Sequence, residues 1–195
     1  MDLAATVFST GWASGVNAYA TVALLGLLGK AGVGEVPDAL TSDGVIAAAS
    51  VLYGIEFVAD KVPLVDNAWD AVHTVVRPAI ASLLGAGFAI DADVASVDEA
   101  LSAGGSGVTA LASHGVKAGL RLGINASPEP FSNVVASLTE DGLVAGVTAL
   151  ALENPEVAAA IAGILLVLGL ALLIYVVKRV RRGLGKVTER FGAPP

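Results

Sequence analysis

The chain has 195 residues, of which 55% are hydrophobic and 15% charged, with a formal net charge of −7 and a mean hydropathy of +0.76. Soluble globular domains carry about 25% charged residues, and a soluble chain of this composition would expose apolar patches large enough to aggregate. Cysteine is absent, which excludes disulfides and thiolate metal sites.

In chain order, the first apolar run covers residues 3–29. It lacks a basic leader and is too long for a signal-peptide core, so it reads as a retained first span. A turn-rich loop with Gly32, Gly34 and Pro37 leads to a second span, 44–59, and then to a charged stretch, 60–77. A short third span, 78–90, precedes a loop holding Asp91, Asp93, Asp98 and Glu99, followed by a fourth span at 106–124. A polar connector, 125–141, carries Pro128 and Pro130, and it reads as a loop with Ser132 or Asn133 capping the helix that follows, or as a segment that re-enters the bundle to complete a site. The fifth span, 142–152, is shorter still. The sixth, 157–177, is the longest apolar run and matches the roughly 20 residues that cross a hydrocarbon core. Spans three and five fall below crossing length, so each is expected to be a half-helix or to be extended by its charged flank.

Six of the eleven basic residues follow Tyr175: Lys178, Arg179, Arg181, Arg182, Lys186 and Arg190. By the positive-inside rule they place the C-terminus in the cytoplasm of a cell (plasma or inner) membrane. An adjacent span accounts for them without a nucleic-acid partner. Six crossings would put the N-terminus on the same side. The predicted fold is all-α, a polytopic transmembrane helix bundle of about six spans with short or broken helices. It forms one membrane domain over residues 1–195, with a basic tail from 179.

Two segments are alike, Gly15-Val16-Asn17-Ala18 and Gly115-Val116-Lys117-Ala118. Thr10, Ser14, Asn17 and Thr21 fall within about 60° on one helical face, and His114, Lys117 and Arg121 occupy the equivalent places in span four. The other faces carry Gly11 and Gly15, then Gly115, Gly119 and Gly123, with Gly142 and Gly146 in span five. This spacing lets helix backbones approach closely, within the chain or in a homo-oligomer. The pattern predicts halves 1–90 and 105–178 related as an inverted repeat, the plan of many transporters, with a site between them.

Ionisable groups inside a membrane are costly and usually functional. Glu56 and Asp60 stand four residues apart. Pro63 opens a helix with Asp66 as its expected N-cap, on which Asp66, Asp70, His73 and Arg77 share one face. Three readings follow. The acids and His73 form a hard-cation or proton site, or they pair internally with Lys117 and Arg121. Alternatively, residues 60–77 form a solvated amphipathic helix at the cytoplasmic surface. The predicted substrate- or ion-binding residues are Ser14, Asn17, Thr21, Glu56, Asp60, His114, Lys117 and Arg121. Asp66, Asp70, His73, Arg77 and Glu129 are candidates for coupling or gating. No phosphate loop, His-Glu-x-x-His, nucleophile elbow or dinucleotide fingerprint occurs, so no catalytic residue, enzyme activity or cofactor is expected. The metal question stays open.

The segments from Gly11 to Tyr19, Glu56 to Pro63, Asp66 to Pro78, and Ala112 to Ala118 leading to Ser127-Pro128-Glu129-Pro130 resemble the bacterial membrane family called domain of unknown function 4126. The resemblance spans nearly the whole chain. It implies a multi-pass membrane fold and brings no assigned activity. The function expected from the residues is a small transporter or channel-like permease for an ion or a small polar or anionic solute. The alternatives are a lipid-binding or lipid-translocating protein that recognises an anionic head group, and a structural or assembly protein. The expected partners are the bilayer, such a ligand and further copies of the chain.

Overall fold

The computed structural model describes residues 2–125 and 131–191, the last nine of these by backbone alone. Among them are six α-helices: α1 Leu3–Lys30, α2 Asp43–Ala59, α3 Pro63–Asp91, α4 Ser96–Asn125, α5 Phe131–Glu153 and α6 Pro155–Phe191. A 3-10 turn, Asp38–Thr41, precedes α2. Four of the helices, α1, α3, α5 and α6, are long and apolar enough to cross a membrane. The chain is therefore a membrane-type helical bundle.

α1 has that length but folds back on itself. Asn17 leaves helical geometry at φ −151° and ψ 99°, splitting α1 into arms 3–16 and 18–30. On the first arm Gly11 packs on Ser106, and Gly15 on Ala110 and Ser113, which lie progressively further along α4. On the second arm, Tyr19 meets His73. Leu25 then joins Leu84 and Phe88 in one apolar cluster, and Lys30 pairs with Asp43. Leu3 and Lys30 thus line the same cavity together with Phe88 and Asp91. A straight 28-residue helix would set its ends about 40 Å apart. α1 is a re-entrant hairpin with Asn17 at its tip.

The remaining helices run between two ends of the bundle. α3 and α4 are antiparallel, pairing Asp66 with Asn125, Arg77 with His114, and Gly85 with Ser102. α2 starts beside the hairpin's open end and reaches the other end at Asp60, against Arg121 of α4. α5 runs from Asn133, beside Asp60, to Leu152, beside Gly34. α6 returns along α1 and α4, with Gly163 near Phe8 and Leu173 against Gly119. At 37 residues α6 is about 55 Å long, more than a hydrocarbon core.

Several expectations change as a result. The hairpin enters and leaves by one end, so the N-terminus and α6's basic tail lie at opposite ends, not on the same side. Of the two forms expected for spans three and five, the structure shows extension through the charged flanks and not half-helices. α3 runs unbroken from Pro63 through Pro78, and α5 starts at Phe131, which puts Ser132 and Asn133 inside a helix. The N-cap of α3 is Val62, with Pro63 at the first helical position, while Asp66 is fully buried. The first arm of α1 and α4 run parallel from the same end, so the two Gly-Val-x-Ala segments are not related by inversion. The acidic residues of the loops gather at the end that holds the N-terminus, in the 30–43 segment, the 91–99 segment and the α5–α6 turn. The exposed bases Lys178, Arg179, Arg181 and Arg182 lie at the other. These are the acidic and basic ends.

The chain contains no cysteine, which suits accessibility labelling. Single cysteines at Ala4 and Glu35 should react with a membrane-impermeant maleimide from one side of the membrane, and one at Arg179 only from the other. Labelling of Ala4→Cys and Arg179→Cys from the same side would refute the hairpin.

Candidate functional site

A membrane core makes an unpaired carbonyl costly, because no water replaces the lost hydrogen bond. Breaking α1 at Asn17 frees the carbonyls that end its first arm, and side chains of α3 and α4 take them up. Ser113 Oγ donates to the Trp12 carbonyl at 2.9 Å, Arg77 Nη1 to that of Gly15 at 3.3 Å, and Lys117 Nζ to that of Val16 at 3.1 Å. Two cations thus sit at the negative end of a half-helix. Asn17 starts the second arm as a cap, its Oδ1 accepting from the Ala20 amide at 2.9 Å, while its amide donates to Asp141 at 3.2 Å. Gly15 is required here. A Cβ would lie 1.9 Å from Ser113 Oγ and 2.2 Å from the Ala110 carbonyl oxygen.

The cations are held in turn by carboxylates from three other helices and turns. Arg77 Nη2 meets Glu56 at 2.8 Å, and Nη1 lies 3.2 Å from Asp70. Lys117 contacts Asp60 at 3.0 Å, Glu140 at 3.6 Å and Glu56 at 3.8 Å. Arg121 meets Glu140 at 2.8 Å, with Asp60 at 3.7 Å and Asp66 at 3.8 Å. It also donates to the Asp60 carbonyl and to Asn133 Oδ1. Arg77, Arg121, Glu56 and Asp66 are wholly inaccessible, and Lys117, Asp60 and Asp70 nearly so.

The two histidines differ in what they can carry. His114 Nδ1 lies 2.6 Å from Arg77 Nη1, and a guanidinium only donates, so Nδ1 is bare and the ring is neutral. Its Nε2–H faces the Asp70 carbonyl and the Thr74 hydroxyl, each at 3.1 Å. His73 Nδ1 donates to the Trp69 carbonyl at 2.7 Å. That leaves Nε2 facing the Tyr19 hydroxyl of the hairpin at 3.0 Å, with the ring stacked on Trp69.

All eight predicted binding residues are buried, as are Asp66, Asp70, His73 and Arg77. The structure gathers them around the hairpin tip; Glu56, Asp60, Asp66, Asp70, Arg77, Lys117 and Arg121 form the ion pairs. Thr21 donates to the Asn17 carbonyl. Glu129 and the prolines beside it lie outside the described residues. The solvated surface helix is overturned: α3 buries its charged face and turns Leu64, Val72 and Val75 outward, at 84%, 63% and 73% exposed. Among the described residues, no three or more His, Asp or Glu side chains are grouped so as to hold a metal ion. Sequence reasoning missed Tyr19, Asn133, Glu140 and Asp141. The last three fall within the predicted connector 125–141, although Asn133, Ser137 and Glu140 repeat at helical spacing. The glycine expectation divides. Gly11 and Gly15 pack on α4, and Gly119 on α6, while Gly115, Gly142 and Gly146 face open space.

Beyond the tip, toward the acidic end, Val7, Leu25, Leu84, Phe88 and Leu152 form a dry layer between the hairpin arms, α3 and α5. Past it opens a cavity of about 790 Å³ bordered by Lys30, Glu35, Asp38 and Asp91. At its rim the ion pair with Lys30 holds the Asp43 carboxyl below its ordinary pKa.

Residues 4–175 match the family model described as Domain of unknown function (DUF4126). The chain belongs to that family. Neither the curated proteins nor the solved structures contain a match to it.

Gly15→Ala should lower stability by at least the ~1–3 kcal/mol typical of overpacking, and Gly115→Ala, with nothing within 4 Å of its added methyl, should leave it unchanged. Thermal unfolding of the two variants in detergent measures the contrast. Arg77→Ala strands Glu56, Asp70 and the Gly15 carbonyl together and should cost about 3–5 kcal/mol. Denaturant titration should show the loss reduced when Glu56→Gln is added, because the removed partners are coupled.

Proposed function

We propose that this member of the family is a small permease for an ion or a small polar solute, with the re-entrant hairpin as its moving part. The observation that supports this reading is the broken helix. Its tip is a mid-bundle backbone break whose carbonyls accept hydrogen bonds from Arg77 and Lys117, beside the apolar packing of Val16 and Ala20 on Val144 and Val147. Broken helices of this kind form the binding sites of many transporters, because their free backbone groups can coordinate a solute. Glu56, Asp60, Lys117 and Arg121 would exchange partners as solute enters, with Asn17 and the Gly15 and Val16 carbonyls contributing ligands. The dry layer would serve as the barrier toward the acidic end. By the positive-inside rule the basic end faces the cytoplasm of a cell membrane. On this reading the protein is not an enzyme and needs no cofactor.

A second reading, recognition of a lipid head group, is favoured by a cavity of about 120 Å³ on the bundle's flank. Trp12, Leu143, Leu165 and Leu166 line it beside Lys117 and Glu140. Its volume is below the usual range of ligand pockets, about 300–1,000 Å³, and Lys117 already has carboxylate partners, so the permease reading stands first.

Osmotic shrinkage of proteoliposomes, followed by light scattering with potassium chloride, sodium chloride, potassium acetate and glycerol as probes, tests the proposal. At least one probe should equilibrate about tenfold faster than through empty vesicles, a barrier difference of ~1.4 kcal/mol. Glu56→Gln should remove the gain while the protein still unfolds cooperatively. Identical rates with and without protein for all four probes would sink the reading. Co-purification of anionic lipid that Arg121→Ala abolishes would then favour the second.

A further inference from the structure

The ion pairs around the hairpin tip do not balance. Glu56, Asp60, Asp66, Asp70 and Glu140 share the cations Arg77, Lys117 and Arg121. His114 adds no charge, because Arg77 donates to its Nδ1. Lys61, bonded to the Phe57 carbonyl and Ser137, and Asp141, bonded to Asn17, lie at the margin of the cluster with opposite charges and leave its sum unchanged. Two carboxylates are therefore left without a cation in a region closed to water, where an isolated carboxylate takes up a proton rather than remain ionised.

The geometry shows which two are left over. Arg121 is committed to Glu140 at 2.8 Å and comes no closer than 3.8 Å to Asp66. Asp66 is reached instead by the neutral amide of Asn125, at 2.6 Å, and its Oδ1 has no hydrogen-bond partner among the described residues. Arg77 makes its short contact with Glu56, at 2.8 Å. Asp70 lies 3.2 Å from Arg77, with neither oxygen in a hydrogen bond among the described residues.

Resting on the permease reading above, we propose that Asp66 and Asp70, one turn apart on α3, hold exchangeable protons, and that H⁺ is the ion linked to the hairpin. A metal or sodium ion would need several oxygens converging on one point. The spare carboxylate oxygens come from different helices, α2, α3 and α5, and no group of three or more His, Asp or Glu fit to hold a metal ion occurs among the described residues. The charged and titratable groups facing the pair are Glu56 and Asp60 from α2, Arg77 and His73 from α3, and His114, Lys117 and Arg121 from α4. Glu140 of α5 and Tyr19 of the hairpin complete the set. His73, three residues beyond Asp70 on α3, carries the contact between this face and the hairpin, its Nε2 lying 3.0 Å from the Tyr19 hydroxyl. A proton gained at Nε2 would make it donate to the Tyr19 oxygen, and the Tyr19 hydroxyl proton would turn to another acceptor.

Two measurements on the full-length purified protein test this. In the infrared spectrum, the carbonyl stretch of protonated carboxyls, identified by its downshift in D₂O, should be present in the wild type. It should lose intensity in Asp66→Asn and again in Asp70→Asn. Because asparagine resembles a protonated aspartic acid, neither substitution should lower the unfolding temperature. In vesicles loaded with pyranine, an external acid jump should acidify the lumen, and Asp70→Asn should slow this about tenfold, with sodium gradients having no effect. The proposal is overturned by absence of the band, by a band that neither substitution changes, by marked destabilisation of both variants, or by flux driven by sodium. Loss of the band in both variants, with no flux of any probe, would confirm the proton site and sink the permease reading alone.

Discussion

The structure depends on one constraint: peptide carbonyls released by a helix break at membrane depth must find donors. At the end of α1's first arm those donors are Ser113, Arg77 and Lys117. Once Arg77 and Lys117 are drawn into the bundle, their charges need carboxylates, and Glu56, Asp60 and Glu140 supply them. Arg121 extends the same logic, joining the α2–α3 turn to α5 through the Asp60 carbonyl and Asn133. One backbone break thus fixes the register of α2, α3, α4 and α5 around the hairpin. The half-helix adds to this, since its C-terminal end carries a partial negative charge that favours the two cations over neutral donors.

The charged faces were legible from residue spacing because helical periodicity does not depend on the solvent outside. Thr10, Ser14, Asn17 and Thr21 share a face whether that face meets water or protein, and so do Asp66, Asp70, His73 and Arg77. The spacing did not say which way the face of α3 points. In water its charges would turn outward. In lipid the preference reverses, so Leu64, Val72 and Val75 cover the outside and the charges close on partners from other helices. The apolar character of the whole chain, not the α3 segment alone, decides between the two.

The hairpin was not legible for a related reason. Asn17 sits on the polar face that a continuous helix would show, and neither glycine nor proline stands at that position. Its role as the cap of the second arm depends on Asp141 and Lys117, more than a hundred residues away in one case, closing around it. For α3 and α5 the residues left two forms open, half-helices or helices extended by their charged flanks, and the extended form is the one the structure shows. Those flanks stay inside, since Arg77, Asp66 and Asp70 on one and Asn133 and Glu140 on the other are paired or held within the bundle. A span count that equates charge with exposure will err wherever charges have internal partners. The N-terminus was set on the same side as the tail for another reason, because the hairpin counts as one crossing when α1 is read as a straight helix.

The two ends of the hairpin are held by interactions of different strength. The tip is tied by charge-assisted hydrogen bonds in a low-dielectric interior, where they are stronger than in water. The arms meet α3 and α5 through Val7, Leu25, Leu84, Phe88 and Leu152. Within a bilayer such contacts gain only packing energy, since lipid tails are as apolar as leucine. Sliding the arms apart therefore costs less than withdrawing the tip. For a hairpin anchored this way, the compliant region is the dry layer beneath the acidic vestibule, and the tip is the pivot. On the permease reading, a change in charge at Tyr19 and His73 would act at that pivot, where a small rearrangement would be carried along both arms to the layer beneath the vestibule.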